Sequence, residues 1–544
     1  MSSPATVPLP STPDLERQPL LAIGNSGHQS SPLNPNSTLP SQPHSNDNGN
    51  STNGFGNGIS GGVGGAQARS HIPEALRRRP SAYEQLERQD AIRKCWRIGI
   101  AGIILALLGF VLMTIFELIS GHTGGSPYRH LRGSCDHVPP ISPIEFEERQ
   151  ANLSRLLVDL RADAYIAEPG TNMRYFSNIR WSQSERPFLL VVQVKRDKTD
   201  QVLTKTTIVA PEFEASRARQ GLIPGSSIVI KTWEEGESPY KVVRELLDTP
   251  WAGPDEDEND LESKKPRKEH DQIYLDVDMR QFVSSGLAIA LESSTRKVTI
   301  AHRAIKELRA VKSPHEIDIL RCVSTTSVNV IRAVKAQLHE GHLESEVQEM
   351  LTRAYRDAGL EYEAGGSLVL FGKNAALPHG SGNATRLESG MMVLIDTGAR
   401  LHGYLSDITR TFWVTRGSNK EMNDELDKVW GIVKQAQNAT LHATQAGAAC
   451  SSLDKAARKV ITDAGYGARF THRLGHGLGM DGHEEPYLDI GNTDTAIQVG
   501  NVFTNEPGVY VEGQYGIRLE DVVLVTQNGF EILSGDLAAS STEP

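Results

Sequence analysis

The chain has 544 residues and a formal charge of −11, from 56 basic against 67 acidic side chains. That length implies two or three folded units, and without a basic surplus nucleic acid is not an expected partner. Four cysteines (Cys95, Cys135, Cys322 and Cys450) with no CxxC pair point to neither a disulfide framework nor a zinc ribbon.

From Met1 to about Gln67 the sequence runs through Ser, Pro, Asn and Gly. It has too little apolar surface to offset the entropy of ordering it, so residues 1–95 are expected to form a disordered tail. Within the tail, "ERQPLL" (Glu16 to Leu21) resembles the acidic dileucine signal read by sorting adaptors. Ile98 to Phe116 is a nineteen-residue run without a charge. At about 1.5 Å per residue it matches the hydrocarbon thickness of a bilayer, and a transmembrane helix is expected over 96–119. Arg77, Arg78, Arg79, Arg88, Arg93, Lys94 and Arg97 precede it, whereas only Arg129 and Arg132 follow closely. The positive-inside rule then keeps the tail in the cytosol and puts the remainder in the lumen or outside the cell, as a single-pass type II membrane protein of a vacuolar, endosomal or other compartment. On that side Asn152, Asn383 and Asn438 open glycosylation sequons. Cys135, Cys322 and Cys450 form an odd set there, which allows at most one intrachain disulfide.

After a stalk over 120–140, apolar runs alternate with amphipathic ones. "DAYIAEP", "FLLVVQV", "TTIVAP" and "QIYLDV" read as strands, and "EFEERQANLSRLLVDLR" and "SPYKVVRELLDT" as helices. An α/β domain over 141–300 is expected, interrupted by a charged segment (Gly253 to Gln272) that reads as a solvated surface loop. Residues 301–535 begin with long helices, up to "ESEVQEMLTRAYRDAG", and then turn to strands; 536–544 is a C-terminal tail.

Two of those strand pairs carry acids. In "MMVLIDTGARLHGYLSDITRTFWV" a turn near Leu401 to Gly403 makes a hairpin whose centre lies midway between Asp396 and Asp407, so the two carboxylates are expected across from each other. "NVFTNEPGVYVEGQYGIRLEDVVLV" repeats the arrangement about Gly513, with Glu506 facing Glu520. Carboxylates inside strands rich in Val, Ile, Leu and Phe would be driven to hold protons unless a cation compensates them. Four of them in matched positions, with a histidine, point to divalent metal. Between the ribbons, "THRLGHGLGMDGHEEPYL" supplies His472, His476 and His483 among glycines that suit a tight strand or loop. It lacks the second histidine of HExxH, which disfavours a single-zinc protease site.

"DTGA", "SDITRTF", "HRLGHGLG", "GHEEPYL", "NEPG" and "GIRLED", in that order, resemble the signature of the pita-bread metallopeptidases, specifically the Xaa-Pro group that contains prolidase and aminopeptidase P. The likeness covers about residues 141–535, and "EPGTNMRYFSN" is similar to the creatinase-type N-terminal domain. It implies an α/β creatinase-like domain followed by an α+β pita-bread catalytic domain. It further implies five metal ligands, Asp396, Asp407, His476, Glu506 and Glu520, with Asp407 and Glu520 bridging two ions. His379, His472, His483 and Arg518 match positions that support the ligands or bind substrate. Two such ions would lower the pKa of a bridging water, Glu506 would shuttle its proton to the leaving nitrogen, and the three histidines would bind or polarise the scissile carbonyl. Oxygen ligands with one imidazole suit Mn²⁺, with Zn²⁺, Co²⁺ or Fe²⁺ as alternatives. The implied substrates are proline-containing dipeptides or longer peptides, and homodimers are common in the group. A methionine aminopeptidase shares the ligands but not the N-terminal domain; a noncatalytic binding module on the same fold would have lost them.

Overall fold

The computed structural model describes Arg93, Trp96, residues 107–109, Val111 and residues 125–544, except 198, 252–271, 293–295, 363–365 and 383. The expected cytosolic tail up to residue 92, with Glu16 to Leu21, most of the Ile98 to Phe116 run, Asn383 and nearly all of the charged segment lie outside these residues. Among the described residues no helix is long and apolar enough to cross a membrane. The described residues from Leu107 onward form one compact unit.

Helix α1 (Pro143–Asp159) starts at Ser142, whose side chain accepts from the Glu145 amide, with Pro143 in the first turn, where its missing N–H costs nothing. Strand β1 (Ala164–Ala167) and helix α2 (Thr171–Ser177) follow, then β2 (Leu189–Arg196), β3 (Val202–Pro211), α3 (Ala215–Gly221), β4 (Val229–Trp233), α4 (Pro239–Asp248), β5 (Gln272–Leu275), α5 (Gln281–Leu291) and β6 (Lys297–Ile300). The strands form one mixed sheet in the order β4-β3-β2-β1-β5-β6, parallel at β3–β4, β1–β5 and β5–β6. Alternation sends Ala164 and Ile166 toward the core under α4 and α5, and Tyr165 and Ala167 toward the larger core under α1. Edge strands β4 and β6 were not legible as strands in the sequence, because much of each is exposed or half-buried.

Helix α6 (Arg303–Ala310) leads to α7 (Pro314–Lys335). The long helical run of the sequence breaks at Ser313, which forms a capping box with Glu316 ahead of Pro314. After α8 (Glu344–Ala358) come β7 (Leu368–Phe371), β8 (Met392–Thr397), the short pair β9 (Arg400–Leu401) and β10 (Tyr404–Leu405), and β11 (Ile408–Trp413). Then two helices not anticipated from the sequence, α9 (Lys420–Ala443) and α10 (Cys450–Asp463), precede the second run of strands: β12 (Gly475–Gly477), β13 (Glu484–Leu488), β14 (Val502–Asn505), β15 (Gly508–Val511), β16 (Tyr515–Arg518), β17 (Asp521–Thr526) and β18 (Gly529–Ile532). The order helix, helix, strands thus occurs twice. Strand β17 is buried on both faces: Val522 and Leu524 join the core containing α7 and α8, while Val523 and Val525 join the core containing α9 and α10. Of the metal-ligand candidates, Asp396 lies on β8 and His476 on β12, while Asp407, Glu506 and Glu520 stand in the short breaks between β10 and β11, β14 and β15, and β16 and β17.

One disulfide joins Cys135, ahead of α1, to Cys322 on α7, 187 residues away in sequence. Cys450 is free and buried, and burial pushes its thiol up to about 12.

Candidate active site

The first ribbon differs in register from the sequence expectation. His402 and Gly403, both with positive φ (52° and 98°), make a two-residue turn, with Leu401 paired to Tyr404. The same register continues outward, so Asp396 is opposite Thr409 and Asp407 falls on the diagonal. The shift is two residues, an even number, so both carboxylates stay on one face of the ribbon. In the second ribbon both ladders, β14–β17 and β15–β16, share the register that sets Glu506 opposite Glu520 at the junction between them. Pro507, with no amide proton, lies at that junction.

His476 comes from β12, paired through Gly477 to Phe503 of β14. Its Nδ1 donates to the Gly477 carbonyl at 3.1 Å, which leaves Nε2 as the lone-pair nitrogen. Nε2 lies 3.3 Å from Glu506 Oε1 and 3.7 Å from Asp407 Oδ2. Three sets of side chains have ligand atoms within 4.8 Å of one another: Asp396, Asp407 and Glu520; His476, Glu506 and Glu520; and Asp407, His476 and His483. Glu520, Asp407 and His476 each belong to two sets, and Glu520 and Asp407 are the two carboxylates among them.

Burial, and then the neighbouring carboxylates, raise Asp407 and Glu520 well above the usual carboxylate range, and burial pushes Glu506 up to about 7. Burial, followed by His483, lowers His476 to about 3, so its imidazole is neutral. Ion pairing supplies these acids with little compensation: Arg518 Nη2 donates to Asp396 Oδ2 at 2.6 Å, while Asp407, Glu506 and Glu520 have no arginine or lysine bridge among the described residues. Hard oxygen donors, a neutral imidazole and uncompensated buried charge fit divalent cations.

The surrounding groups hold this set in place. Thr409 Oγ1 donates to Glu520 Oε2 at 2.6 Å, and the fully buried Arg410 donates to the Glu520 carbonyl at 2.6 Å and to Asp521 at 2.7 Å. Arg518 reaches Thr409 Oγ1 (3.0 Å), Tyr510 Oη (2.8 Å) and the Pro378 carbonyl (3.3 Å) as well as Asp396. His472 Nδ1 donates to the Arg473 carbonyl at 2.6 Å, so its Nε2 accepts from Tyr510 Oη at 2.9 Å. Both nitrogens of His472 are therefore engaged by protein groups, and it touches the site through Tyr510 and Arg518. His379 and His483 are exposed and make no hydrogen bonds to described residues through their rings. The His476 and His483 rings lie 4.0 Å apart.

Sequence reasoning missed Tyr510, Thr409 and Arg473. The first two are ordinary strand residues whose roles arise only from cross-strand contacts. Arg473 stands within the histidine motif, where its neighbours offered the more obvious chemistry. Its guanidinium lies 5.3 Å above the Tyr487 ring, its Nε is buried without a partner, and it has no carboxylate partner among the described residues.

Residues 318–527 match the model of metallopeptidase family M24. An uncharacterized peptidase of Schizosaccharomyces pombe is 35% identical over 467 residues, covering 83% of this chain and 96% of that protein. Among solved structures, a prolidase from Pyrococcus furiosus is 26% identical with a TM-score of 0.57, covering 70% of this chain and 99% of that one. An X-Pro aminopeptidase from Thermotoga maritima is likewise 26% identical, with a TM-score of 0.56 and coverage of 71% and 98%. This chain belongs to the M24 metallopeptidase family and has its pita-bread fold, behind a creatinase-like N-terminal domain.

Proposed function

We propose that this peptidase is a dinuclear metal-dependent Xaa-Pro dipeptidase. The observation that carries the reading is the sharing of Glu520 and Asp407 between adjacent ligand sets, which suits two neighbouring cations. Asp396, Asp407 and Glu520 would hold one, and His476, Glu506 and Glu520 the other, with Asp407 also shared; manganese is the ion the hard donor set favours. Two divalent cations held in this way would acidify water and polarise a carbonyl. Glu506 then takes the proton from the attacking water and delivers it to the leaving imide nitrogen. His379 and His483, with free ring nitrogens at the mouth of the site, hydrogen-bond the developing oxyanion. Arg518 pairs with Asp396 and, through Tyr510, fixes His472.

The preference for proline rests on likeness to the prolidase and the X-Pro aminopeptidase. These two are equally similar, so they do not discriminate between dipeptides and longer peptides. Arg473 favours dipeptides, because an unpaired guanidinium beside the site is a receptor for the free carboxylate that a dipeptide places next to its scissile bond. Hydrolysis of Ala-Pro, Ala-Pro-Pro and Met-Ala-Ser with manganese supplied and then chelated tests the reading. Cleavage of Ala-Pro alone, abolished by chelation, is expected; preferential cleavage of Ala-Pro-Pro would make the enzyme an aminopeptidase P, and of Met-Ala-Ser a methionine aminopeptidase.

We further propose that the catalytic half faces the lumen or the cell exterior behind a single membrane span. The Cys135–Cys322 disulfide, a bond of oxidising compartments, and the exposed sequon residue Asn152 support this orientation.

A further inference from the structure

Outside the ligand set, a cluster of buried charge lies where α6, α2 and the segment 479–484 meet. Arg309, at the end of α6 and 6% exposed, donates through Nη1 to Asn172 Oδ1 at 2.6 Å. Its Nη2 donates to Asp481 Oδ2 and, at 2.7 Å, to Glu484 Oε2. Lys312 donates to the other Glu484 oxygen at 2.6 Å. Beyond these, Thr171 donates to Asp481, and Asn172 donates to Asp276 at 2.8 Å. One guanidinium thus grips two acids of the 479–484 segment and ties them to α2 and the end of β5.

His483 lies between those two acids in sequence. Its imidazole belongs to the set with Asp407 and His476, yet it makes no hydrogen bond to described residues. Apart from its contact with the His476 ring, no hydrogen bond fixes its direction, so its placement depends on the backbone on either side. Besides Arg309 and Lys312, the segment is held by the Leu405 amide on the Gly479 carbonyl (2.8 Å) and by Arg400 on the Met480 carbonyl (2.9 Å). Both of these act before Asp481. On the later side the hold is by Arg309, Lys312 and the β13 ladder.

We propose that Arg309 is a positioning residue that directs His483 at the reacting carbonyl, and that it makes this placement depend on the N-terminal domain through Asn172 and Thr171. The proposal rests on the dipeptidase reading for the role of His483. A lysine at 309 keeps the charge but presents no planar fork to reach Asn172, Asp481 and Glu484 together.

The test uses the full-length, manganese-loaded enzyme with Arg309→Lys, His483→Ala and the double variant. Arg309→Lys is expected to lower kcat for Ala-Pro at least tenfold with KM changed less than threefold. The double variant should then be no slower than His483→Ala, since a residue acting through another adds nothing once that other is gone. In the metal-free protein, hydrogen exchange over 479–484 should speed up in Arg309→Lys while helices α7 and α9 keep wild-type protection. Losses that multiply in the double variant, or unchanged exchange over 479–484, overturn the proposal. If Arg309→Lys does not fold, Asp481→Asn is measured in the same cycle against the same two outcomes. Accelerated local exchange in a protein that cleaves no Xaa-Pro bond would sink the dipeptidase reading and leave the positioning role standing.

Discussion

Replacing Glu520 by Gln separates two effects that its position combines. The carboxylate is 2% exposed among Asp407, Glu506 and Asp396, all of which raise its pKa beyond what burial already does. Without cations this crowding is unfavourable; with them it supplies the shared ligand. Glu520→Gln is therefore expected to melt at or above the temperature of the wild type when both are metal-free, yet to bind at most one manganese per chain and lose Ala-Pro hydrolysis. Calorimetry with metal analysis checks both halves, and Asp407→Ala should behave alike in metal content and activity. A variant with full turnover would contradict the ligand assignment. His472 gives the pH dependence. Burial, then the Arg518 charge, lowers it to about 4, whereas an unfolded histidine titrates near 6.5. Between these values the unfolded chain binds the extra proton, so the contribution of His472 is complete above about 6.5 and disappears as pH falls toward 4. The raised Asp407, Glu506 and Glu520 act in the opposite direction in the metal-free protein, so the His472 contribution is read as a difference: as pH falls from about 6.5 toward 4, metal-free wild type should lose stability relative to His472→Gln in urea titrations.

Among the elements, the strands show what pattern alone reveals. The acidic ribbons were legible because apolar alternation broken by acids and a glycine turn has few other readings. The first register was displaced by two residues because the conformation of His402 was not legible: a positive φ there makes the turn two residues long. Helices α9 and α10 were missed even though each buries an apolar stripe, because they stand between two acidic strand runs that resemble one continuous β region. The pairings of Arg309, Tyr510 and Arg473 depend on side chains distant in sequence, and no spacing announces them. The glycines of the histidine motif were legible as close approaches, and Gly475 shows the reason: a Cβ there would lie 1.9 Å from the Thr504 carbonyl oxygen. Gly475→Ala should push apart the strands bearing His476 and Glu506, cost roughly 1–3 kcal/mol of stability and weaken metal binding, as thermal denaturation and manganese titration would read.

For the molecule as a whole, orientation is the proposal with the simplest test. Glycosidase treatment of the cellular protein is expected to increase its mobility; accessibility of the catalytic half to a cytosolic protease in sealed membranes would reverse the assignment. Reduction of Cys135–Cys322 releases a constraint on a very long loop, and Cys135→Ser should cost about 5 kcal/mol on the chain-entropy account, observed as a lower melting temperature with the active centre intact.

The same bridge has a mechanical meaning. Cys135 stands within the segment 120–140 expected as a stalk, and its partner lies in a helix of the catalytic half, so in the proposed membrane orientation a pull on the preceding chain would be borne by the enzyme's interior and bypass the N-terminal sheet. Every peptide bond between the two sulfurs, those of the charged segment included, becomes dispensable for attachment. A protease that nicks the chain there should yield two fragments on a reducing gel and a single tethered enzyme on a non-reducing one.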